Sequence, residues 1–305
     1  MLILYILVYH LAAVPPPVAQ LKEGQTPTTT PTEEWGTSPS QSCKPIQCII
    51  YTCYLVLSDS YSQSACVYAC YIAVQAIAYP DGRSYYGQCS LDGSPHGHGK
   101  MTYASGSMYE GEFVYGTISG RGKHTWPNGD VYEGDFLAGK LTGHGKVVCT
   151  SGMIYEGDFV DRKPNGHGKM IKPNGEVYEG EWKNDKRTGR GKMSYPDGDI
   201  YEGDWKDNDR SGYGKKIYTK RGGVYEGYWK GDKWHGYGVM TWPDGMIYEG
   251  DFVNGKMHGI GKLTLPNGDV YEGHMANGVK HGQGKHTCKD GKVYEGIWRN
   301  NQFIS

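Results

Sequence analysis

The sequence has almost no net charge and no uninterrupted apolar run of membrane-spanning length. The 32 Lys and Arg residues nearly balance the 33 Asp and Glu residues, and the formal charge is −1. Nucleic-acid binders usually carry a strong basic excess, so we expect no nucleic-acid partner. The apolar run at residues 1–14 is shorter than the roughly 20 residues of a membrane-spanning helix.

Signatures of catalysis and metal binding are also missing. The chain contains no G-x-x-x-x-G-K-[ST] phosphate loop, no G-x-S-x-G nucleophile elbow and no C-x-x-C pair. Histidines such as His235, His258 and His281 recur about once per repeat, so we interpret them as repeat positions rather than zinc ligands. We therefore predict no enzyme, no catalytic residue, no cofactor and no metal. A nucleotide site in the glycine-rich runs and histidine-bound metal are the weaker alternatives.

Glycine and tyrosine, by contrast, are abundant and follow a fixed period. Tyr-Glu-Gly recurs every 23 residues, except for one step of 24, and a Gly-x-Gly pair keeps the same step. A damaged tenth copy reads Tyr85-Tyr86-Gly87. Fixed periods of this length are typical of repeat architectures, so residues 81–305 form one repeat array. The nine intact copies begin at Tyr109, Tyr132, Tyr155, Tyr178, Tyr201, Tyr225, Tyr248, Tyr271 and Tyr294.

Each repeat has the alternation of two half-buried strands. Tyr178 and Trp182 fall on one face of an extended chain and Glu179 and Glu181 on the other. Pro-Asn-Gly or Pro-Asp-Gly at one end and Asn-Gly at the other supply the turns. The sequence thus predicts an all-β fold: an elongated, twisted, single-layer antiparallel meander of β-hairpins, with an irregular N-terminal extension.

Aromatic residues recur on one face of this predicted sheet. The Tyr of Tyr-Glu-Gly forms one row, the Phe or Trp four residues later a second, and a less uniform third row precedes the Pro-Asx-Gly turn. A sheet one layer thick leaves such a face in need of cover, which an amphipathic helix could supply. The predicted partner-binding residues are Tyr132, Phe136, Tyr155, Phe159, Tyr178, Trp182, Tyr201, Trp205, Tyr225, Trp229, Trp242, Tyr248 and Phe252.

The opposite face carries one glutamate row and one lysine row. Stacked glutamates repel one another unless nearby cations neutralise them, so we expect the lysines to form ion pairs with the glutamates. Val239 is the one break in the lysine row. Basic residues near the turns offer a second hypothesis, contact with anionic phospholipid, at Lys183, Lys186, Arg187, Lys215, Lys216, Lys220 and Arg221.

A unit of the form YEGEWxxGxxxGxGxxxxPDGxxY resembles the MORN repeat (membrane occupation and recognition nexus). Residues 178–201 and 248–271 match it almost position for position. The resemblance implies a curved sheet of hairpins without catalytic activity, which binds partner proteins in an aromatic groove or contacts membranes. Proteins with such repeats occur in ciliary radial spokes, cytoskeletons and membrane contacts, and as regulatory extensions of phosphatidylinositol phosphate kinases and lysine methyltransferases.

The first eighty residues differ in composition from the array. We divide them into an apolar segment, residues 1–19, a Thr/Ser/Pro-rich linker, residues 20–45, and a Cys/Tyr-rich apolar segment, residues 46–80. The two apolar segments leave several interpretations open. They could form an amphipathic or membrane-embedded hairpin, a cleaved signal sequence or an incorrectly delimited gene start, and residues 46–80 could be an eroded repeat.

Together these patterns predict a non-enzymatic scaffold or adaptor that binds a partner protein. The alternative is a phosphoinositide-binding or membrane-binding adaptor or regulatory module. We expect a cytoplasmic protein, at the cytoskeleton, in a cilium or at an inner membrane surface, since no N-x-[ST] glycosylation acceptor occurs. The chain ends one strand into a hairpin, so we also expect self-association or partner pairing at that edge, or a truncated chain.

Overall fold

The computed structural model describes residues 73–305, so the segments predicted within residues 1–72 lie outside the described residues. The described chain forms one antiparallel sheet of 21 strands and contains no helix. The predicted all-β meander of hairpins is confirmed. The strands are β1 (Ala73–Ala78), β2 (Ser84–Cys89), β3 (Pro95–Thr102), β4 (Met108–Val114), β5 (Thr117–Thr125), β6 (Val131–Leu137), β7 (Lys140–Val148), β8 (Ile154–Val160), β9 (Lys163–Ile171), β10 (Val177–Lys183), β11 (Lys186–Ser194), β12 (Ile200–Lys206), β13 (Asp209–Ile217), β14 (Val224–Lys230), β15 (Lys233–Thr241), β16 (Ile247–Val253), β17 (Lys256–Thr264), β18 (Val270–Ala276), β19 (Val279–Thr287), β20 (Val293–Arg299) and β21 (Gln302–Phe303).

Every strand pairs with the next one along the chain, and the register repeats. In β10 and β11, Tyr178 faces Met193 and Gly180 faces Gly191; the other hairpins use the same pairing. Within residues 73–305 the first strand is β1, which starts eight residues before the predicted start of the array. Ile77 of β1 faces Tyr85, which is the pairing expected of the second strand of an eroded repeat.

Two kinds of turn connect the strands, as the turn residues predict. At one end Asn128 accepts a hydrogen bond from the amide of Asp130 at 3.1 Å, and Gly129 has a φ of 87°. At the other end two residues in succession have positive φ, such as Asn184 at 49° and Asp185 at 68°. This left-handed pair is the tight hairpin turn whose twist matches that of the strands.

The Gly-x-Gly pair marks a β-bulge. Between Gly180 and Glu181 the register with β11 shifts, and Gly189 adopts a φ of 52°. The amide of Arg190 donates to the Glu181 carboxylate at 2.8 Å. Positive φ favours glycine, and the acid after Tyr-Glu-Gly satisfies the amide that the bulge exposes. The same bond recurs at Arg121, His144, His167, Tyr213 and Ile260.

Candidate partner-binding surfaces

The Tyr and Phe/Trp rows form a line of rings in contact from Tyr85 to Phe252, and Met275 takes the place of a ring before Tyr271 and Trp298. Tyr201 packs edge to face against Trp205 of its own strand and against Trp229 of the next repeat, with ring centroids 5.2 Å apart in both pairs. Tyr178 bridges Trp182 and Trp205 in the same way. Edge-to-face pairs stabilise by about 0.5–1.5 kcal/mol each beyond simple burial. This row is the core of the sheet.

The tyrosine hydroxyls of this row from Tyr85 to Tyr271 reach the backbone. The Tyr132 hydroxyl donates to the carbonyl oxygen of Asp135 at 3.0 Å, and Tyr201 makes the same bond to Asp204 at 2.9 Å. The ring passes over a glycine of the next strand, where a side chain on Gly145 would overlap Tyr132. Burial raises the pKa of Tyr132 to about 12. The hydroxyl is therefore a donor throughout the neutral pH range.

A further row of side chains, which the sequence analysis did not identify, covers the rings. It consists of the residues nine positions after each Tyr of the intact copies: Ile118, Leu141, Pro164, Arg187, Arg210, Trp234, Met257, Lys280 and Phe303. Arg187 lies 4.5 Å from the ring centroid of Trp205. Trp234 stacks on Tyr225 at 4.9 Å. We call these residues the covering row. Its signal is weak in the sequence because apolar and cationic side chains both cover an aromatic face.

The predicted partner-binding residues are thus buried within this sheet. Tyr132, Tyr201 and Tyr248 are 0% exposed and Trp205 is 5% exposed. These rings do not line an open groove in this sheet, because the covering row and the neighbouring rings enclose them. Trp242 is the one predicted residue that is partly exposed. Partner binding by these thirteen residues stays a prediction.

The opposite face, which we call the outer face, pairs its lysine and glutamate rows. The Lys146 ammonium lies 3.1 Å from the Glu156 carboxylate, and Lys215 lies 3.1 Å from Glu226. The expected pairing is confirmed at these positions and at Lys169–Glu179, Lys262–Glu272 and Lys285–Glu295. Exposed pairs stabilise weakly, but here they neutralise the outer face.

An open groove of about 1160 Å³ runs over the outer face of β1 to β8. Its lining alternates paired charges, such as Lys146 and Glu156, with glycine backbone. Small-molecule sites usually have mainly apolar and aromatic walls. The lining of this groove does not resemble such a site.

Between β13 and β17 four large side chains interrupt the paired charges of the outer face. Tyr213, Tyr228, Tyr237 and Ile260 are 43%, 51%, 50% and 64% exposed. We call these four residues the outer tyrosine patch. The rings of Tyr213 and Tyr228 pack 5.6 Å apart, and the Tyr237 hydroxyl donates to Glu249 at 2.5 Å. The patch exposes large side chains to solvent, with Asp251 of β16 between Tyr237 and Ile260.

The patch departs from the repeat pattern that builds the bulges. Tyr228 stands where six repeats have the Asp or Glu that accepts the bulge amide. Tyr213 and its partner Tyr228 occupy the register of Arg190 and Asp204, which are 3.5 Å apart. The sequence therefore held a signal: tyrosine replaces charge where the local fold favours charge. The uniform rows of the repeat do not contain this signal, because it lies in single departures from them.

The predicted lipid-binding residues do not form one surface. Lys216 lies on the ring face over Tyr218 and pairs with Asp199 at 3.2 Å, its side chain 14% exposed. Arg187 belongs to the covering row. The remaining five are exposed. Lys215 forms an ion pair with Glu226, and Lys186 forms one with Asp207. Lys183, Lys220 and Arg221 lie near turns.

One group of side chains in residues 73–305 has the composition of a metal site. Asp269, His286 and Cys288 place a carboxylate oxygen, a ring nitrogen and a thiol within 4.8 Å of one another. The group lies beside the β17–β18 turn and at the end of β19. The histidine analysis missed it because the three residues come together through sheet register, not through close spacing.

Comparisons with solved structures find weak likenesses. The TCP domain of SAS-4 (dCPAP) from Drosophila melanogaster, in complex with a proline-rich motif of Ana2, is 14% identical, with a TM-score of 0.32; the match covers 63% of this chain and 96% of that one. The TCP10 domain of Danio rerio CPAP, in complex with a STIL peptide, is 16% identical over 74% and 94% of the two chains, with a TM-score of 0.25. We infer no function from such distant matches. No curated protein matches the chain.

No helix in residues 73–305 is able to span a membrane.

The family comparison covers the array itself. The model of the MORN repeat matches ten consecutive units between residues 91 and 303: 91–108, 109–131, 132–154, 155–177, 178–200, 201–222, 225–247, 248–270, 271–293 and 294–303. These units follow the hairpins, rings and bulges described above, and the chain belongs to the MORN-repeat family.

Proposed function

We propose that the chain is a non-enzymatic scaffold that binds a partner protein through the outer tyrosine patch. The observation that carries this proposal is that Tyr213, Tyr228, Tyr237 and Ile260 are exposed within the rows of paired lysine and glutamate residues on the outer face. Tyrosine is enriched at protein interfaces because it offers a large apolar area and a hydrogen-bonding tip at low entropic cost. Exposed patches of this kind mark interaction sites in soluble proteins.

The spacing of the patch favours an amphipathic helix as the partner segment. Tyr213, Tyr228 and Tyr237 lie on three successive strands, β13 to β15, and Ile260 lies on β17. Neighbouring strands are about 4.8 Å apart and a helix rises about 5.4 Å per turn. A helix that crosses the strands can therefore place about one apolar anchor over each of them.

The surroundings of the patch support the same partner chemistry. Val239 interrupts the lysine row beside Tyr237, so the apolar area extends to the neighbouring position. The Tyr237 hydroxyl is held by Glu249 and the Tyr213 hydroxyl by Glu226, at 2.5 and 3.2 Å. Fixed rings lose little side-chain entropy on binding. Apolar anchors surrounded by paired charges are the arrangement that an amphipathic helix complements.

Family membership supports a cytoplasmic scaffold at the cytoskeleton or in a cilium. Phospholipid binding finds less support in the geometry, because Lys215 is paired with Glu226, while Arg187 and Lys216 lie on the ring face. Membrane binding would depend on the turn residues Lys183, Lys220 and Arg221.

Photo-crosslinking tests the proposed surface. A photoreactive phenylalanine analogue replaces Tyr228 in the full-length chain, and in a control it replaces Asp135, the equivalent residue on the outer face of an earlier repeat. We expect position 228, and not position 135, to crosslink a discrete protein through a segment with helical apolar periodicity. That segment, made as a peptide, should bind the purified chain.

A double variant separates binding from folding. Tyr213→Arg with Tyr228→Asp recreates the Arg190–Asp204 pair of another repeat, so the sheet should keep its stability. Loss of two anchors should weaken binding of the crosslinked peptide about 10-fold or more. Unchanged affinity for the folded double variant, or equal crosslinking from position 135, would rule out the patch as the binding surface.

A further inference from the structure

We propose that Asp269, His286 and Cys288 form a zinc site that joins the β17–β18 turn to the end of β19. Their potential ligand atoms lie within 4.8 Å of one another. Nε2 of His286 is 3.5 Å from Oδ2 of Asp269. Two such ligands at about 2.0–2.1 Å from a tetrahedral Zn²⁺ would be about 3.3 Å apart, so this pair needs to move little to share an ion.

The backbone already holds the carboxylate in place. Oδ1 of Asp269 accepts the amide of Lys289 at 2.9 Å, and the Asp269 amide donates to Oδ1 of Asn267 at 3.0 Å. These bonds orient the second carboxylate oxygen towards His286. The side chains of His286 and Asp269 are 11% and 18% exposed, so the group is sheltered but reachable from solvent.

The three residues have the chemistry that zinc requires. Imidazole, thiolate and carboxylate are all zinc ligands, and three protein ligands leave a fourth position for water. Burial and the nearby Lys280 ammonium lower the pKa of His286, so the ring is neutral and able to coordinate at neutral pH. Burial and Asp269 raise the pKa of Cys288; zinc displaces the thiol proton when it binds.

The same three positions occur in every complete hairpin, and the chain varies them. Relative to the tyrosine they lie two residues before, fifteen after and seventeen after. The repeat of Tyr132 has Asp130, Val147 and Cys149 there, so it lacks only the histidine. It provides a natural reference for a sheet that folds without the metal-binding set.

The positive charge of Lys280 disfavours zinc binding at this site. Its Nζ lies 3.0 Å from Nδ1 of His286. The ammonium can only donate, so Nδ1 accepts the hydrogen bond and Nε2 carries the ring proton towards Asp269. Zinc on Nε2 moves the proton to Nδ1, and Lys280 must then turn away. The equivalent residue in the preceding repeat is Met257. Lys280→Met should therefore keep the cover over the rings and raise the zinc affinity roughly fivefold or more.

The test compares full-length variants that differ at one position. Each chain is reduced, loaded with Zn²⁺ alone, dialysed and assayed for bound zinc; Co²⁺ loading reports thiolate coordination through its charge-transfer absorption. We expect His286→Val, which copies the Val147 site, to lose one zinc per chain and part of the cobalt-thiolate absorption. Val147→His should gain one zinc per chain.

Comparison between variants cancels zinc held by the other cysteines and histidines. Circular dichroism first confirms that each variant is folded. If His286→Val keeps the same zinc content and the same cobalt-thiolate spectrum, His286 is not a ligand and the proposal fails. If folded Val147→His takes up no additional zinc, the three positions do not suffice and the proposal fails in that form.

Discussion

The ring of Tyr201 lies against the backbone of Gly214 in the next strand, with its hydroxyl where a methyl group on that glycine would be. The Gly-x-Gly pair therefore has two different functions in the fold. Gly212 bends the bulge with a φ of 69°, whereas Gly214 leaves room for the ring. We expect Gly214→Ala to lower the free energy of unfolding by about 1–3 kcal/mol, because the core ring must shift.

Denaturant unfolding followed by tryptophan fluorescence measures this change. Gly231→Asn is the matched control: nothing lies within 4 Å of its missing Cβ, and asparagine tolerates its φ of 54°. The control should change stability by no more than about 0.5 kcal/mol. Equal effects of the two substitutions would show that the space needed by the tyrosine ring is not the reason for a glycine at position 214.

The covering row leads to a second prediction, at Arg187. Its guanidinium lies 4.5 Å from the Trp205 ring centroid and donates to the Asn208 carbonyl oxygen at 2.9 Å. Leu141 holds the equivalent position over the rings of an earlier repeat. Arg187→Leu loses one hydrogen bond but keeps the apolar cover, so we expect a change in unfolding free energy of less than about 1 kcal/mol.

Arg187→Asp provides the contrasting variant. It removes the cover and places a carboxylate against the negative face of an aromatic ring, so we expect a loss of about 2 kcal/mol or more. Urea titration of both variants distinguishes the outcomes. If Arg187→Leu were as damaging as Arg187→Asp, the position would need its positive charge, and Arg187 would have to be reconsidered as a ligand-binding residue.

Much of the fold could be predicted from the sequence because the same pattern of strand and turn residues recurs in every repeat. The spacing of Tyr178 and Trp182 gave the face of the strand, and the Asn and Gly positions gave the turns. The uses of the glycines could not be separated in this way. A glycine required by positive φ and one required by a neighbouring ring look the same in a sequence.

The functional surface was harder to predict than the fold. A row of rings such as Tyr201 and Trp205 is equally typical of a buried core and of a binding surface. In this sheet the rings are buried because the covering row lies over them. The exposed tyrosines Tyr213 and Tyr228 indicate a binding surface instead, since they interrupt a charged pattern. Local departures from a repeat were therefore more informative about function than the repeat itself.

His124 provides a third prediction, for the pH dependence of stability. The ring is 1% exposed and packs against Trp126, with centroids 4.6 Å apart. Burial, with a smaller effect of Arg162, lowers its pKa from 6.5 to about 4. The unfolded chain therefore binds a proton between these values while the folded chain does not. The stabilising effect of the neutral ring is complete above about pH 6.5 and is lost as the pH falls towards 4, by up to about 3 kcal/mol.

His124→Met isolates this contribution, because Met170 and Met193 hold the equivalent position in other repeats. Carboxylates elsewhere also titrate in acid, so the informative quantity is the difference in unfolding free energy between wild type and variant, measured by urea titration at pH 7 and pH 4.5. We expect the wild type to lose more stability than His124→Met over this interval, since only the wild type must keep a buried imidazole neutral. An identical loss in both chains would mean that His124 is protonated in the folded sheet, and its contact with Trp126 would then have to accommodate a charged ring.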